Sequence, residues 1–215
     1  MQINKLRRKL RVAAAATAVG TMVVVTGVNV FAGLNATVVA SQSDTAGTLK
    51  LTSADKGAGF STGISNLAPG DIVNRYVTLT NGGSLSAQSL GLAIATTGTA
   101  TLITDGTGAA TNKALTVKVT SCSGDWDNTA GTCSGTPTVE IAETTLSAFS
   151  TEKLFGTTST LAANGTAKLQ IQVKLPDQNE TTVGGVLPTT TVQNGTANLT
   201  FTFSEAQRSA TTTNS

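Results

Sequence analysis

The sequence contains no histidine in 215 residues. That removes the Ser-His-Asp triad, the Cys-His dyad, every His-ligated zinc site and haem held by His. Charge is also scarce: Asp, Glu, Lys and Arg make up 12% of the chain, about half the ~25% usual in soluble proteins. Aromatic residues account for 4%, with one Trp and one Tyr. Past its first eleven residues the chain has no basic patch and few aromatics, so it is not built for nucleic acid. Apolar residues, at 39%, do not fill the gap. Thr, Ser, Gly and Ala do, and Thr alone is close to a fifth of the chain. The length suffices for one good core or two small ones.

The charge that is present is unevenly placed. Lys5, Arg7, Arg8, Lys9 and Arg11 crowd the first eleven residues, and an apolar, small-residue run follows from Val12 to about Val30. A basic stretch before an apolar one is the layout of an export signal. The alternative is a retained anchor, because the run approaches the ~20 residues needed to span a bilayer. Small residues suited to cleavage recur at Ala32, Ala36 and Ala40. With the signal removed, nine Lys and Arg face twelve Asp and Glu, a net charge of −3 in place of +2.

Cys122 and Cys133 are the only cysteines. In an exported chain the expectation is a disulfide closing the loop Ser123 to Thr132. A redox pair usually has CxxC spacing, and two thiolates without His make a poor metal site. Inside the loop, Asp125 and Asp127 flank Trp126. Two carboxylates at this spacing are candidates for calcium or acid-base work. The competing reading is a polar loop with one aromatic packed beneath it. A third makes Trp126 a contact for a carbohydrate or partner protein.

Past residue 40 the hydrophobic pattern has period two. Leu169, Ile171, Val173 and Leu175 alternate with Lys168, Gln170, Gln172 and Lys174. Leu115, Val117 and Val119 form a similar set, as do Leu90, Leu92 and Ile94, and Leu199, Phe201 and Phe203. Leu49 and Leu51 make a short one. Such strands bury one face and wet the other, which is the habit of antiparallel sheets. The abundant Thr suits the wet face. Turn signals separate the runs: Pro69-Gly70-Asp71, Asn81-Gly82-Gly83, Asp105-Gly106, Asn164-Gly165 and Asn194-Gly195. The best helical stretch lies around Ser147 to Phe155, where Leu146, Phe149 and Leu154 share a turn. The pattern predicts an all-β chain: an antiparallel β-sandwich of about eight strands, preceded by a signal helix.

Single charged residues have bland readings. Asp71 stabilises its turn. Glu140 and Glu143 are expected to be solvated. Lys50, Lys118, Lys168 and Lys174 belong on outer faces, where they discourage edge pairing. The segment from Gly33 to Gly47 is mostly small and polar, with an apolar patch at Val38-Val39. It reads either as a loose terminus or as a strand in need of a partner.

Three blocks together resemble one family. They are Gly27-Val28-Asn29-Val30-Phe31-Ala32 followed by Ala46-Gly47-Thr48-Leu49-Lys50-Leu51; Ile64-Ser65-Asn66-Leu67-Ala68-Pro69-Gly70-Asp71 running into Tyr76-Val77-Thr78-Leu79-Thr80-Asn81-Gly82-Gly83-Ser84-Leu85; and the closing Asn198-Leu199-Thr200-Phe201-Thr202-Phe203-Ser204-Glu205-Ala206-Gln207. In this order they resemble the TasA/camelysin (CalY) family of exported Gram-positive proteins, whose precursors are cut by a SipW-type signal peptidase. The resemblance implies a jelly-roll fold and a secreted subunit of biofilm-matrix fibres. It divides the chain into a signal peptide (1–32), an N-terminal segment (33–46) and a jelly-roll domain (47–206); the Ser/Thr/Asn-rich composition of 207–215 predicts a disordered tail.

It places cleavage between Ala32 and Gly33. It also makes Gly33, Leu34, Val38 and Val39 part of a candidate donor strand that pairs with the next copy. The implied partners are further copies of the chain and the signal peptidase, with membrane contact only through the uncleaved signal. The family also carries a zinc-metallopeptidase label. Without His there is no HExxH, and carboxylates alone would hold Ca²⁺ more readily than catalytic Zn²⁺. The expectation is a non-catalytic protein with no cofactor and no metal. A secreted metallopeptidase and a monomeric surface module, with Trp126 as its anchor, are the alternatives.

Overall fold

The computed structural model describes residues 34–38 (backbone only), 50–56, 60, 67–104, 114–178, 182–187 and 191–207. The expected signal helix, the cleavage pair Ala32 and Gly33, Val39, and the tail past Gln207 lie outside the described residues. Among the described residues no helix is long and apolar enough to cross a membrane.

Two sheets face each other. One has the order β1-β11-β4-β9, from Leu34–Val38, Ala197–Gln207, Ala87–Gly98 and Lys153–Leu154. The other has the order β2-β3-β10-β5-β8, from Leu51–Lys56, Ile72–Asn81, Thr166–Lys174, Thr116–Cys122 and Pro137–Thr145. Between β5 and β8 the chain makes a small hairpin of β6 (Trp126–Asp127) and β7 (Thr132–Cys133). A single helical turn, α1 (Ala100–Ile103), follows β4. With β2 set aside, the strand orders 1-11-4-9 and 3-10-5-8 are those of a jelly roll, the chain passing repeatedly between the two sheets.

The alternating runs form the core. Leu90, Leu92, Ile94, Val117, Val119, Leu169, Ile171, Leu199, Phe201 and Phe203 are all fully buried. Each faces the opposite sheet, and the polar residues between them stay half-exposed on β10 and β11. The tightest ladder is β3-β10, nine antiparallel pairs without a break.

The structure changes the expected picture in four places. Among the described residues nine strands, against the about eight expected, enter the two sheets, because β2 is added beside β3. Both sheets are antiparallel except at β1-β11, which is parallel. The extra strand β2 lies between β1 and β3 in the chain, so β1 arrives in the reverse of its usual jelly-roll direction. The stretch expected to be helical is a 3-10 turn, Leu146–Ser150; it buries Leu146 and Phe149, while Leu154 falls in β9 and is exposed. Finally, Glu140 is buried rather than solvated, whereas Glu143 is exposed, as expected.

Candidate functional site

β11 is one of the two inner strands of the first sheet. On one side it pairs with β4 in ten antiparallel positions. Its other edge is covered by β1, in the register Leu34↔Leu199, Asn35↔Thr200, Ala36↔Phe201, Thr37↔Thr202 and Val38↔Phe203. Without that cover, the N–H and C=O groups that alternate residues of Leu199–Phe203 turn toward β1 would be unpaired. Leu34 and Val38, two of the candidate donor residues, mark the ends of the covering strand. On the core side, Phe60 packs against Phe201 with ring centroids 5.0 Å apart.

The β4-β11 ladder slips at a bulge between Ser204 and Ala206. There Ser89 takes a positive φ of 55°, an uncommon conformation for a residue with a Cβ. β4 turns away at this point: the Leu90 N–H donates to the Ser159 carbonyl at 3.0 Å and the Leu90 carbonyl accepts from Phe155 N–H at 2.9 Å. Opposite the bulge sits Glu205, which is buried, with no hydrogen-bond partner for either carboxylate oxygen. Burial pushes its carboxyl above the ordinary range.

The disulfide hairpin forms the second feature. Cys122 and Cys133 are bonded, with Cα atoms 5.7 Å apart. The hairpin folds back over the outer face of the second sheet. Trp126 sits beside Tyr76, ring centroids 5.7 Å apart, and its indole N–H donates to the Lys168 carbonyl at 3.1 Å. This cover is why Tyr76, on the outer face of β3, is only 5% exposed. The Tyr76 hydroxyl accepts from Gln170 at 3.0 Å.

The two loop carboxylates do not converge. Asp125 pairs with Lys168 at 2.7 Å, and that ammonium holds its carboxyl below the ordinary range. Asp127 accepts from the Ala130 and Thr129 N–H groups, both at 2.9 Å, which lowers its carboxyl too. Asp71 closes its turn by accepting from Ala68 N–H at 2.8 Å, beside Gly70 at φ +90°. Among the described residues no group of three or more Asp, Glu and Cys side chains is placed to hold a metal ion.

Two polar centres had no reading as such in the sequence. Glu140 accepts from Ser121 Oγ at 2.6 Å, from Thr157 N–H at 2.8 Å, from Thr158 N–H at 2.9 Å and from the Thr158 hydroxyl. Burial pushes its carboxyl upward, but these bonds outweigh burial and leave it below the ordinary range. Asn81 is fully buried; its amide donates to the carbonyls of Leu85, Leu161 and Ala162, and its oxygen accepts from Gly83 N–H. An Asn-Gly-Gly turn signal flags the position but not the three-way clamp.

No curated protein matches the chain significantly. The sequence profile of the camelysin metallo-endopeptidase family matches residues 5–212, nearly the whole length, and the chain belongs to that family.

Proposed function

We propose that the protein is an exported structural subunit that assembles into matrix fibres by strand addition, and that it is not a peptidase. TasA-type and camelysin-type proteins form one family, whose members are extracellular or cell-surface proteins. The observation that carries the proposal is the edge of β11, completed by a short strand from the N-terminal end of the chain in a five-position register. The same backbone pairs can be made by the segment 33–46 of a neighbouring copy. Such head-to-tail exchange does not close on itself, so it grows a filament.

The family's description implies a catalytic metal. The residues do not fit one: the chain has no His, Asp125 and Asp127 are engaged with Lys168 and backbone N–H groups, and the remaining acids described do not cluster. No catalytic step is therefore assigned to the chain.

A second reading is favoured by one fact: β1 lies on β11 of its own chain. A copy that keeps its own strand is a self-contained surface module. The two readings separate by cross-linking. Thr37 and Thr202 are register partners, and neighbouring strands are about 4.8 Å apart, within disulfide reach. In the Thr37→Cys/Thr202→Cys protein, filaments should give a disulfide-linked ladder on non-reducing gels. A persistent monomer with only intrachain cross-links selects the surface module. Filaments that form without interchain cross-links rule out exchange at β11.

A further inference from the structure

A cleft of about 330 Å³ opens between the ends of β5, β8 and β10 and the loop carrying Thr157 and Thr158. It stands apart from the β11 edge. Its size is at the small end of the ~300–1,000 Å³ range of ligand clefts, which suits a ligand of one or two sugar rings. Seven of its lining residues are Ser or Thr.

The protein sets the polarity of these hydroxyls. Ser121 and Thr158 both donate to Glu140, so their oxygens are left as acceptors. Two residues beyond Ser121, Ser123 Oγ accepts from Thr136 N–H at 2.9 Å, leaving its own proton to donate. The hydroxyls of Thr136, Thr138, Thr157 and Thr166 have no protein partner among the described residues. The cleft thus offers fixed acceptors, a fixed donor and several adaptable groups.

Other ligand classes fit poorly. Lys168 is the one cation in the lining, and it is held by Asp125 at 2.7 Å. With the Glu140 carboxylate behind the wall, nothing favours an anion. Apolar surface in the lining comes from Ala167, the Cys122 side chain and the Thr methyl groups, interleaved with the hydroxyls. Such a mixed surface fits a neutral polyol best, since it carries donors, acceptors and C–H groups together and no charge. Trp126 stands beside the rim through its bond to the Lys168 carbonyl.

We propose that this cleft is a binding site for a neutral saccharide, held through its hydroxyl groups by the Ser and Thr side chains. Trp126, the only tryptophan, is a built-in reporter. The test titrates the intact protein with maltotriose, cellotriose and triacetylchitotriose, following Trp126 emission and heat by calorimetry, with inorganic phosphate as the anionic arm. At least one trisaccharide should bind saturably in the millimolar range, and phosphate should not. Thr138→Val/Thr166→Val keeps the β-branched shape and removes two hydroxyls. It should melt as the parent does and bind about tenfold more weakly. No binding by any of the three sugars, preferential binding of phosphate, or unchanged affinity in the variant would each overturn the proposal.

Discussion

Glu140 offers the sharpest test of how the sandwich is held closed at one end. Its carboxylate joins β8 to Ser121 on β5 and to the loop at Thr157 and Thr158. In Glu140→Ala the two hydroxyls can rotate toward other acceptors, but the two backbone N–H groups cannot. Hydrogen bonds to a charged group contribute ~1.5–3 kcal/mol each, so two fixed bonds set an upper range of about 3–6 kcal/mol. Thr157 is exposed and Thr158 half-exposed, so water recovers part of this, and the expected loss is about 3 kcal/mol. Glu140→Gln can keep an amide oxygen toward the N–H groups and turn its NH₂ toward the hydroxyl oxygens. Only the charge assistance is lost, about 1–2 kcal/mol.

Urea unfolding at neutral pH measures both variants, with unchanged slopes as the check that the unfolded state is the same. The pH dependence has a definite sign. The native carboxyl is lowered, so its contribution is complete above the unfolded carboxylate's pKa and disappears as pH falls through the native value. The gap between parent and Glu140→Gln should therefore shrink toward acid. The reasoning fails if Gln is as damaging as Ala, or if Ala costs less than about 1 kcal/mol.

Glu205 should behave in the opposite sense. Its native carboxyl is raised by burial, so stability falls as pH rises from the unfolded pKa through the native one. Glu205→Gln should be the more stable protein at neutral pH by about 1 kcal/mol or more, with the advantage vanishing in acid; thermal melts across pH check this. Asn81→Asp should be worse than Asn81→Ala, because it sets a carboxylate against the carbonyls of Leu85, Leu161 and Ala162. Ala should cost about 2–4 kcal/mol, and denaturant unfolding ranks the pair. Replacing both Cys122 and Cys133 by Ala should cost about 3 kcal/mol and shift Trp126 emission to the red as the hairpin leaves Tyr76, read by fluorescence.

Period-two alternation made most strands legible, because each buries one face only. Leu169 to Leu175 and Leu199 to Phe203 behave as their spacing implies. Two cysteines in a chain expected to be exported were enough to predict the disulfide. The features that escaped depend on distant partners. The burial of Glu140 is set by donors in a loop 17 and 18 residues further on, and nothing near Glu140 signals it. Phe60 lies outside any alternating run, yet is 1% exposed against Phe201. The bulge at Ser89 has no glycine to announce it. The direction of β1 is a property of the whole topology, set by the added strand β2. Trp126 could be placed in its loop by sequence, but only the fold of the hairpin shows that Tyr76 lies under it.

The parallel sense of β1 on β11 has a mechanical consequence. The N-terminal end of β1 and the C-terminal end of β11 point in opposite directions along the ladder. Tension applied between those ends slides the two strands past each other. All five register positions are then loaded together, and the evenly spaced bonds of a parallel pair share the force. An antiparallel pair pulled from the same ends would peel open one bond at a time. A domain clasped in shear resists pulling far better than its number of bonds alone suggests.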